Sequence, residues 1–235
     1  MPTPIPPQLL ATDPLVVAQD GVATVHQLMD LGCASSVTAA HCRPPGPWRR
    51  LLPRVIALQT TPPTPRQRLR GALLYAGPDA LLTGPAALAL YGVTSLPATP
   101  EVDVLITHRA APRGHAYVRV RPTVRPARRV PVDGLACAPL PRAVLDTLGH
   151  LGTGDTATTL LAEITDRGLC HRDDLLAEAT PAQLPLLAGV TAAFQGPDRP
   201  WTPEPDLRSS GTGGGEDSSP LSLIAMAFGR DAPAR

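Results

Sequence analysis

Two kinds of periodicity meet near the amino end of this chain. Val25, Leu28, Met29 and Leu31 fall on one side of a helix, and a few residues later Trp48–Leu51 and Val55–Leu58 read as a short strand pair turning at Pro53-Arg54. Thr24 followed by Gln27 has the capping-box form, in which each side chain satisfies a backbone donor of the other residue. Gly32 supplies the left-handed conformation that ends such a helix. Ser35 is placed to cap a second helix, with Val37 and Ala40 on its buried side, which Pro44, Pro45 and Gly46 stop. An earlier helix is expected over Gln8 to Gln19, broken or started at Pro14. Helix, Gly-containing turn, helix and strand pair are the outline of a winged helix-turn-helix over residues 8–60.

Gln59 to Pro65 is rich in Pro and Thr and reads as a linker. A second domain is expected over 65–195. It opens with a helix from Pro65 to Ala76, with Leu69, Ala72, Leu73 and Leu74 inside and Arg66, Arg68 and Arg70 on or near the exposed side. Leu81-Leu82 predicts a short buried strand and Gly84 to Tyr91 a small-residue helix. Val102–Ile106, Tyr117–Val120 and Val130–Leu135 read as strands, the last with Asp133-Gly134 as a turn. Helices follow over Pro141–His150, Thr156–Arg167, His171–Glu178 and Pro181–Phe194. The fold class predicted is α+β: a winged domain, then a small mixed α/β domain with antiparallel strands and a helical carboxyl part. Residues 196–235 are too polar for a core and are expected to be a disordered tail, with a brief apolar run at Pro220 to Phe228.

Composition sharpens this outline. Hydrophobic residues make up 43% but aromatics only 3%, so the cores must be built from Leu, Val and Ala. Thirty prolines cut the chain into short elements. All 21 basic residues are arginine, which rules out a phosphate-loop Gly-Lys-Ser/Thr and a Schiff-base lysine. The net charge of +1 hides an asymmetry: residues 1–132 hold fourteen Arg against six acids, and residues 133–235 seven against fourteen. Leu31 to Pro78 and Leu105 to Val132 are purely basic windows. A basic run spanning a candidate recognition helix and wing is what a polyanion partner requires.

On that view the second helix presents Ser35, Ser36, Thr38, Ala39, Cys42 and Arg43 outward. Small side chains let a helix sit deep in a major groove, and Arg43 reaches phosphate or guanine. Arg49, Arg50 and Arg54 stand where a wing touches the backbone or minor groove of double-stranded operator DNA. His41 is expected half-buried against the hairpin, and Trp48 is expected as its anchor.

Trp48-Arg-Arg-Leu-Leu-Pro-Arg-Val55 resembles the hairpin after the helix-turn-helix in the AbiE-type antitoxin (AbiEi) family of type IV toxin–antitoxin systems, common in high-GC actinobacteria. Leu82-Thr-Gly-Pro-Ala-Ala-Leu-Ala-Leu-Tyr-Gly-Val93, Val102-Asp-Val-Leu-Ile106 and Cys137-Ala-Pro-Leu-Pro-Arg-Ala-Val-Leu-Asp-Thr-Leu148 look like the same family in the same order. The resemblance covers residues from about 10 to 195. It implies a DNA-binding transcriptional autoregulator whose second domain assists antitoxicity, acting in functional opposition to a nucleotidyltransferase toxin. Many relatives add a nuclease-like domain of the very-short-patch-repair type. This chain is expected to be a shortened member, Arg199-Pro-Trp-Thr-Pro-Glu-Pro-Asp-Leu-Arg208 looking like a damaged start of that domain. Arg54 also departs from the pattern, because relatives tend to have Gly in the wing turn. If the position needs a positive φ, arginine costs about 1 kcal/mol there.

No enzyme is expected, and no cofactor. The six histidines show no metal-type spacing and no Gly-x-Ser-x-Gly frames a serine. Asp103 and Asp146 are the best carboxylate candidates, Asp146 reading more simply as an arginine partner and Asp133 as a turn residue. Asp173-Asp174 read as a helix first turn. Cys33, Cys42, Cys137 and Cys170 are expected as reduced thiols of a cytoplasmic protein, with no signal peptide and no membrane span. Two other readings stand beside the repressor: the remnant of a nuclease protein that has lost its catalytic domain, and a protein-interaction module that does not bind DNA.

Overall fold

The computed structural model describes residues 9–107 and 112–190. After a turn of 3-10 helix at Leu10–Thr12 come α1 (Pro14–Ala18), β1 (Val22–Thr24), α2 (Val25–Asp30), α3 (Ser35–His41), β2 (Arg49–Leu52) and β3 (Val55–Ala57). Then follow α4 (Pro65–Ala76), β4 (Leu81–Thr83), α5 (Gly84–Leu90), β5 (Val102–Thr107), β6 (Val118–Thr123), β7 (Val130–Val132) and β8 (Leu135–Cys137). Four helices close the described chain: α6 (Leu140–Leu151), α7 (Asp155–Asp166), α8 (Arg172–Glu178) and α9 (Leu184–Val190). One sheet has the order β1-β3-β2 and the other β6-β5-β4-β8-β7. The protein is α+β, as its sequence pattern predicts. The expected tail at 196–235, the end of the last expected helix and Arg109 lie outside the described residues.

The chain divides into two compact units. Of the described residues, one takes 9–82 with those of Pro100–Pro126 and Gly134–Ala136; the other takes Thr83–Thr99, Ala127–Asp133 and 137–190. In the first unit, β3 is the central strand of an antiparallel sheet in which Ala23 and Arg50 both lie opposite Ile56. All three β3 residues are buried, so the sheet is covered on both faces. On one face Ile56 joins Leu10, Val16, Leu28, Cys33 and Trp48 in a core. On the other lies α4. A Cβ added to Gly71 would sit 3.4 Å from Leu51 and 3.8 Å from Val55, so α4 packs closely on the sheet there.

Because α4 covers this sheet, Gln59–Pro65 lies within the first unit rather than between units. Thr64 and Gln67 form a capping box at the start of α4. Gln67 is buried, and its amide donates to the Asp20 carbonyl at 2.9 Å and the Gln59 side chain at 2.7 Å. Arg66 and Arg70 grip the two Asp20 carboxylate oxygens at 2.7 and 3.0 Å. Arg68 stacks over the Tyr117 ring at 4.0 Å. The three arginines read as exposed are therefore tied into the unit.

The strand pairing corrects a second expectation. β5 and β6 run parallel, from Val102 opposite Val118 to Thr107 opposite Thr123. The connection does not close a hairpin. It ends in a tight turn where His115 and Val118 exchange both backbone hydrogen bonds, at 3.1 and 2.9 Å, and that turn reverses the chain once more before β6. β5 is buried along five consecutive residues, the pattern of a strand covered on both faces. Buried Asp103 is held by Arg121 at 3.0 Å, with Arg119 beyond at 3.9 Å and also paired to Glu101. Pro122 is tolerated because β6 is an edge strand.

In the second unit α6 packs on α5, α7 and α8, with Leu140, Leu145, Leu148 and Leu160 fully buried. Asp146 accepts from Arg142 at 3.1 Å and from the Thr83 hydroxyl at 2.7 Å, and Arg142 also reaches Glu178 at 3.2 Å. Asp146 is thus the arginine partner its position suggested, and Asp133 takes the positive φ of a turn residue at 48°. Glu163 collects the backbone N–H groups of Thr94 and Ser95 at 2.8 Å each and pairs with Arg167 at 2.7 Å.

Candidate nucleic-acid interface

The predicted site residues lie on α3 and the β2–β3 hairpin, and local chemistry fixes both elements. The Thr24–Gln27 capping box is present in full, the Gln27 side chain accepting from the Thr24 N–H at 2.8 Å and Thr24 Oγ1 from the Gln27 N–H at 3.1 Å. Gly32 takes φ +89° and ends α2, its N–H donating to Met29 while the Cys33 N–H reaches Leu28 at 2.8 Å. Met29 turns outward, 51% exposed, so the apolar face of α2 is narrower than its sequence suggests.

α3 starts one residue earlier than expected. Ala34 is its N-cap and Ser35 its first residue, with no side-chain cap bond. Thr38, expected to face outward, is buried: its hydroxyl donates back to the Ala34 carbonyl at 3.3 Å and lies 3.5 Å from the Cys33 sulfur. Ala40, expected inside, is exposed. The correction amounts to a rotation of the short helix. With Thr38 turned to the core, Ser36, Ala40 and Arg43 form the outward stripe at i, i+4 and i+7. Ser35 is exposed beside it, and Ala39 is half-buried at its edge.

The hairpin is anchored to α3 by a tilted contact between two rings. Trp48 is buried, its ring lies 4.6 Å from that of half-buried His41, and its backbone N–H donates to the His41 carbonyl at 3.1 Å. His41 Nδ1 lies 2.8 Å from the Val37 carbonyl, which ties the ring to its own helix. Gly46 makes the crossing possible, since a Cβ there would fall 2.1 Å from the His41 carbonyl oxygen. Nothing in a periodicity argument flags this glycine; it is legible only as a residue between Pro45 and Pro47.

Strand alternation separates the three hairpin arginines. Arg50 lies opposite Ile56, on the face of the sheet that carries Trp48 and α3. Its guanidinium acts on Cys42 near the end of α3: burial pushes that thiol up, and Arg50 opposes the rise. Arg49 lies opposite Ala57, on the other face, and donates to the Thr60 carbonyl at 3.1 Å. Arg54 sits at the turn, exposed, with φ +63°. The left-handed conformation that glycine would take without strain is occupied here by arginine. Its carbonyl accepts from the Val25 N–H at 2.9 Å, so the hairpin tip is fastened to the start of α2.

Ser35, Ser36, Arg43 and Arg50 therefore belong to one side of this unit, Arg54 to the hairpin tip, and Arg49 to the other face of the sheet. Arg43, Arg50 and Arg54 have no carboxylate partner among the described residues, and no acid occurs from Leu31 to Pro78. The four cysteines are free thiols. Among the described residues no group of three His, Cys, Asp or Glu side chains is placed to hold a metal, and no helix is long and apolar enough to cross a membrane. No protein-family model matches this chain, and no curated protein matches it.

Proposed function

We propose that residues 10–58 act as a winged helix-turn-helix that binds double-stranded DNA, α3 entering the major groove and the β2–β3 hairpin serving as the wing. On this reading the protein is a transcriptional autoregulator of antitoxin type, as the AbiEi resemblance implies. The nucleotidyltransferase toxin it would oppose rests on that resemblance alone. The observation that carries the DNA reading is the outward stripe Ser36–Ala40–Arg43, with Arg50 beside its end and Arg54 at the tip, on a stretch without a carboxylate. Small residues on an exposed helix permit close approach to base edges, and cations without internal partners suit phosphates. The double bonding of Trp48 to His41 supports a wing held at fixed distance from the helix.

The test is fluorescence anisotropy with a duplex from the protein's own upstream region, titrated with salt. Affinity should fall with salt. In the variant carrying Arg43→Ala and Arg50→Ala, the log–log slope should flatten by about 0.9 for each phosphate that is no longer neutralised. Arg49→Ala should change it less, because that guanidinium is engaged by the Thr60 carbonyl. A slope unchanged in the double variant would remove this face from the interface, and no binding to any duplex at low salt would remove the reading.

A further inference from the structure

Between the hairpin turn, the start of α2 and the last turn of α4 lies a cleft of about 530 Å³, within the roughly 300–1,000 Å³ of small-molecule sites. Pro53, Val55, Leu74 and Pro78 give it apolar walls, while His26 and Arg54 bring basic side chains to it. Tyr75 adds its ring, the hydroxyl being committed to the Arg113 carbonyl at 2.7 Å. No carboxylate is among the described residues that line it. Gly77 also lines it, and a Cβ added there would meet nothing within 4 Å.

The basic groups are available to an occupant. His26 lies 3.0 Å from Asp30, but both side chains are mostly exposed, at 85% and 64%, and water screens such a pair strongly. Arg54 has no carboxylate partner among the described residues. It also holds φ +63°, where glycine would fit without strain. A strained arginine at the mouth of an apolar cleft points to a role for its side chain. Apolar walls select a carbon skeleton, and Arg54, with His26 beside it in an exposed pair with Asp30, selects a negative charge.

We propose that this cleft binds a small organic acid with an apolar body, and that the bound acid competes with DNA for Arg54. The competition rests on the DNA-binding reading above; the acid site does not.

The probe is 2-naphthoate, titrated calorimetrically into the full chain, with the uncharged 2-naphthalenemethanol as control. Naphthoate should bind one to one, and the alcohol about tenfold more weakly, the worth of a charge-assisted hydrogen bond. Arg54→Gly keeps the turn geometry and relieves its strain, so the variant folds; it should lose a similar factor, and Arg54→Lys should recover part of it. Leu74→Trp, which fills the cleft, should abolish binding with the circular-dichroism spectrum unchanged. Equal affinity for acid and alcohol, or no effect of Arg54→Gly, overturns the site, as does failure of millimolar naphthoate to bind. Naphthoate should also weaken operator binding by the native protein and not by Arg54→Gly. If the acid binds and DNA affinity is unmoved, the competition is overturned and the acid site stands. If no duplex binds at all, the calorimetry still decides the site.

Discussion

The arginines around α3 and Arg142 and Arg167 of the second unit are chemically identical, yet their surroundings differ. Arg142 is only 13% exposed and lies between Asp146 and Glu178; Arg167 lies against Glu163. Arg43, Arg50 and Arg54 are exposed and face no carboxylate among the described residues. Arg66 and Arg70 show that the first unit does not simply lack partners, since both close on Asp20. A guanidinium paired within the fold contributes to stability, whereas one left facing water contributes little to folding and is available to a polyanion. Substitutions in the two regions should therefore separate stability from binding.

The largest effect should come from Asp146→Ala. It leaves Arg142 with one acceptor fewer and the Thr83 hydroxyl without its acceptor in a site about nine-tenths buried. Removing one partner of a buried pair costs about 3–5 kcal/mol, and urea denaturation should show that loss with DNA affinity per folded molecule unchanged. Full stability in Asp146→Ala would mean the pairing does not hold the second unit together.

Gly46→Ala should come next, costing about 1–3 kcal/mol through overpacking against the His41 carbonyl. Because Gly46 joins α3 to the hairpin, this variant should also lose DNA affinity, unlike Asp146→Ala. A thermal melt with anisotropy on the same sample separates the two.

Acid titration gives a smaller, graded effect at Glu163. Burial raises its pKa, but the donors of Ser95, Thr94 and Arg167 outweigh burial and hold it down at about 2, from an ordinary 4.5. A folded pKa below the unfolded one adds stability that is complete above pH 4.5 and is lost as pH falls from there toward 2. In Glu163→Gln the slope of stability against pH in that window should fall by up to one proton. An unchanged slope would assign the acid sensitivity to other carboxylates.

The smallest effect on stability belongs to Arg43→Ala with Arg50→Ala, expected within about 0.5 kcal/mol of the native protein. It is the same pair whose removal should flatten the salt dependence of DNA binding. If the double variant is instead markedly unstable, the contrast between the two regions fails.

Local chemistry made much of the architecture readable. Thr24 with Gln27 fixed one helix start, because a capping box is complete within four residues; Thr64 with Gln67 forms a second box that was not read from the sequence. Pro53-Arg54 and Asp133-Gly134 located turns, and most strand and helix positions followed from apolar spacing, but β1 and β8 did not. The candidate site was only partly readable. Ser35, Ser36, Arg43 and Arg50 stand where their spacing puts them, but Thr38 turned inward and Arg49 fell on the face covered by α4. Which side of a seven-residue helix is buried depends on where its neighbours pack, and Thr38 can satisfy its hydroxyl on its own helix. The cleft beside Arg54 left no mark in the sequence, since its lining comes from four separate segments.

What the chain alone determined is therefore most of the elements, β1 and β8 excepted, and the excess of positive charge near its amino end, both properties of short stretches. The tertiary structure decided which arginines are engaged and which face outward, and that β5 and β6 run parallel. Those outcomes depend on partners distant in sequence, Asp20 for Arg66 and Arg70 or Asp103 for Arg121, which no local pattern encodes.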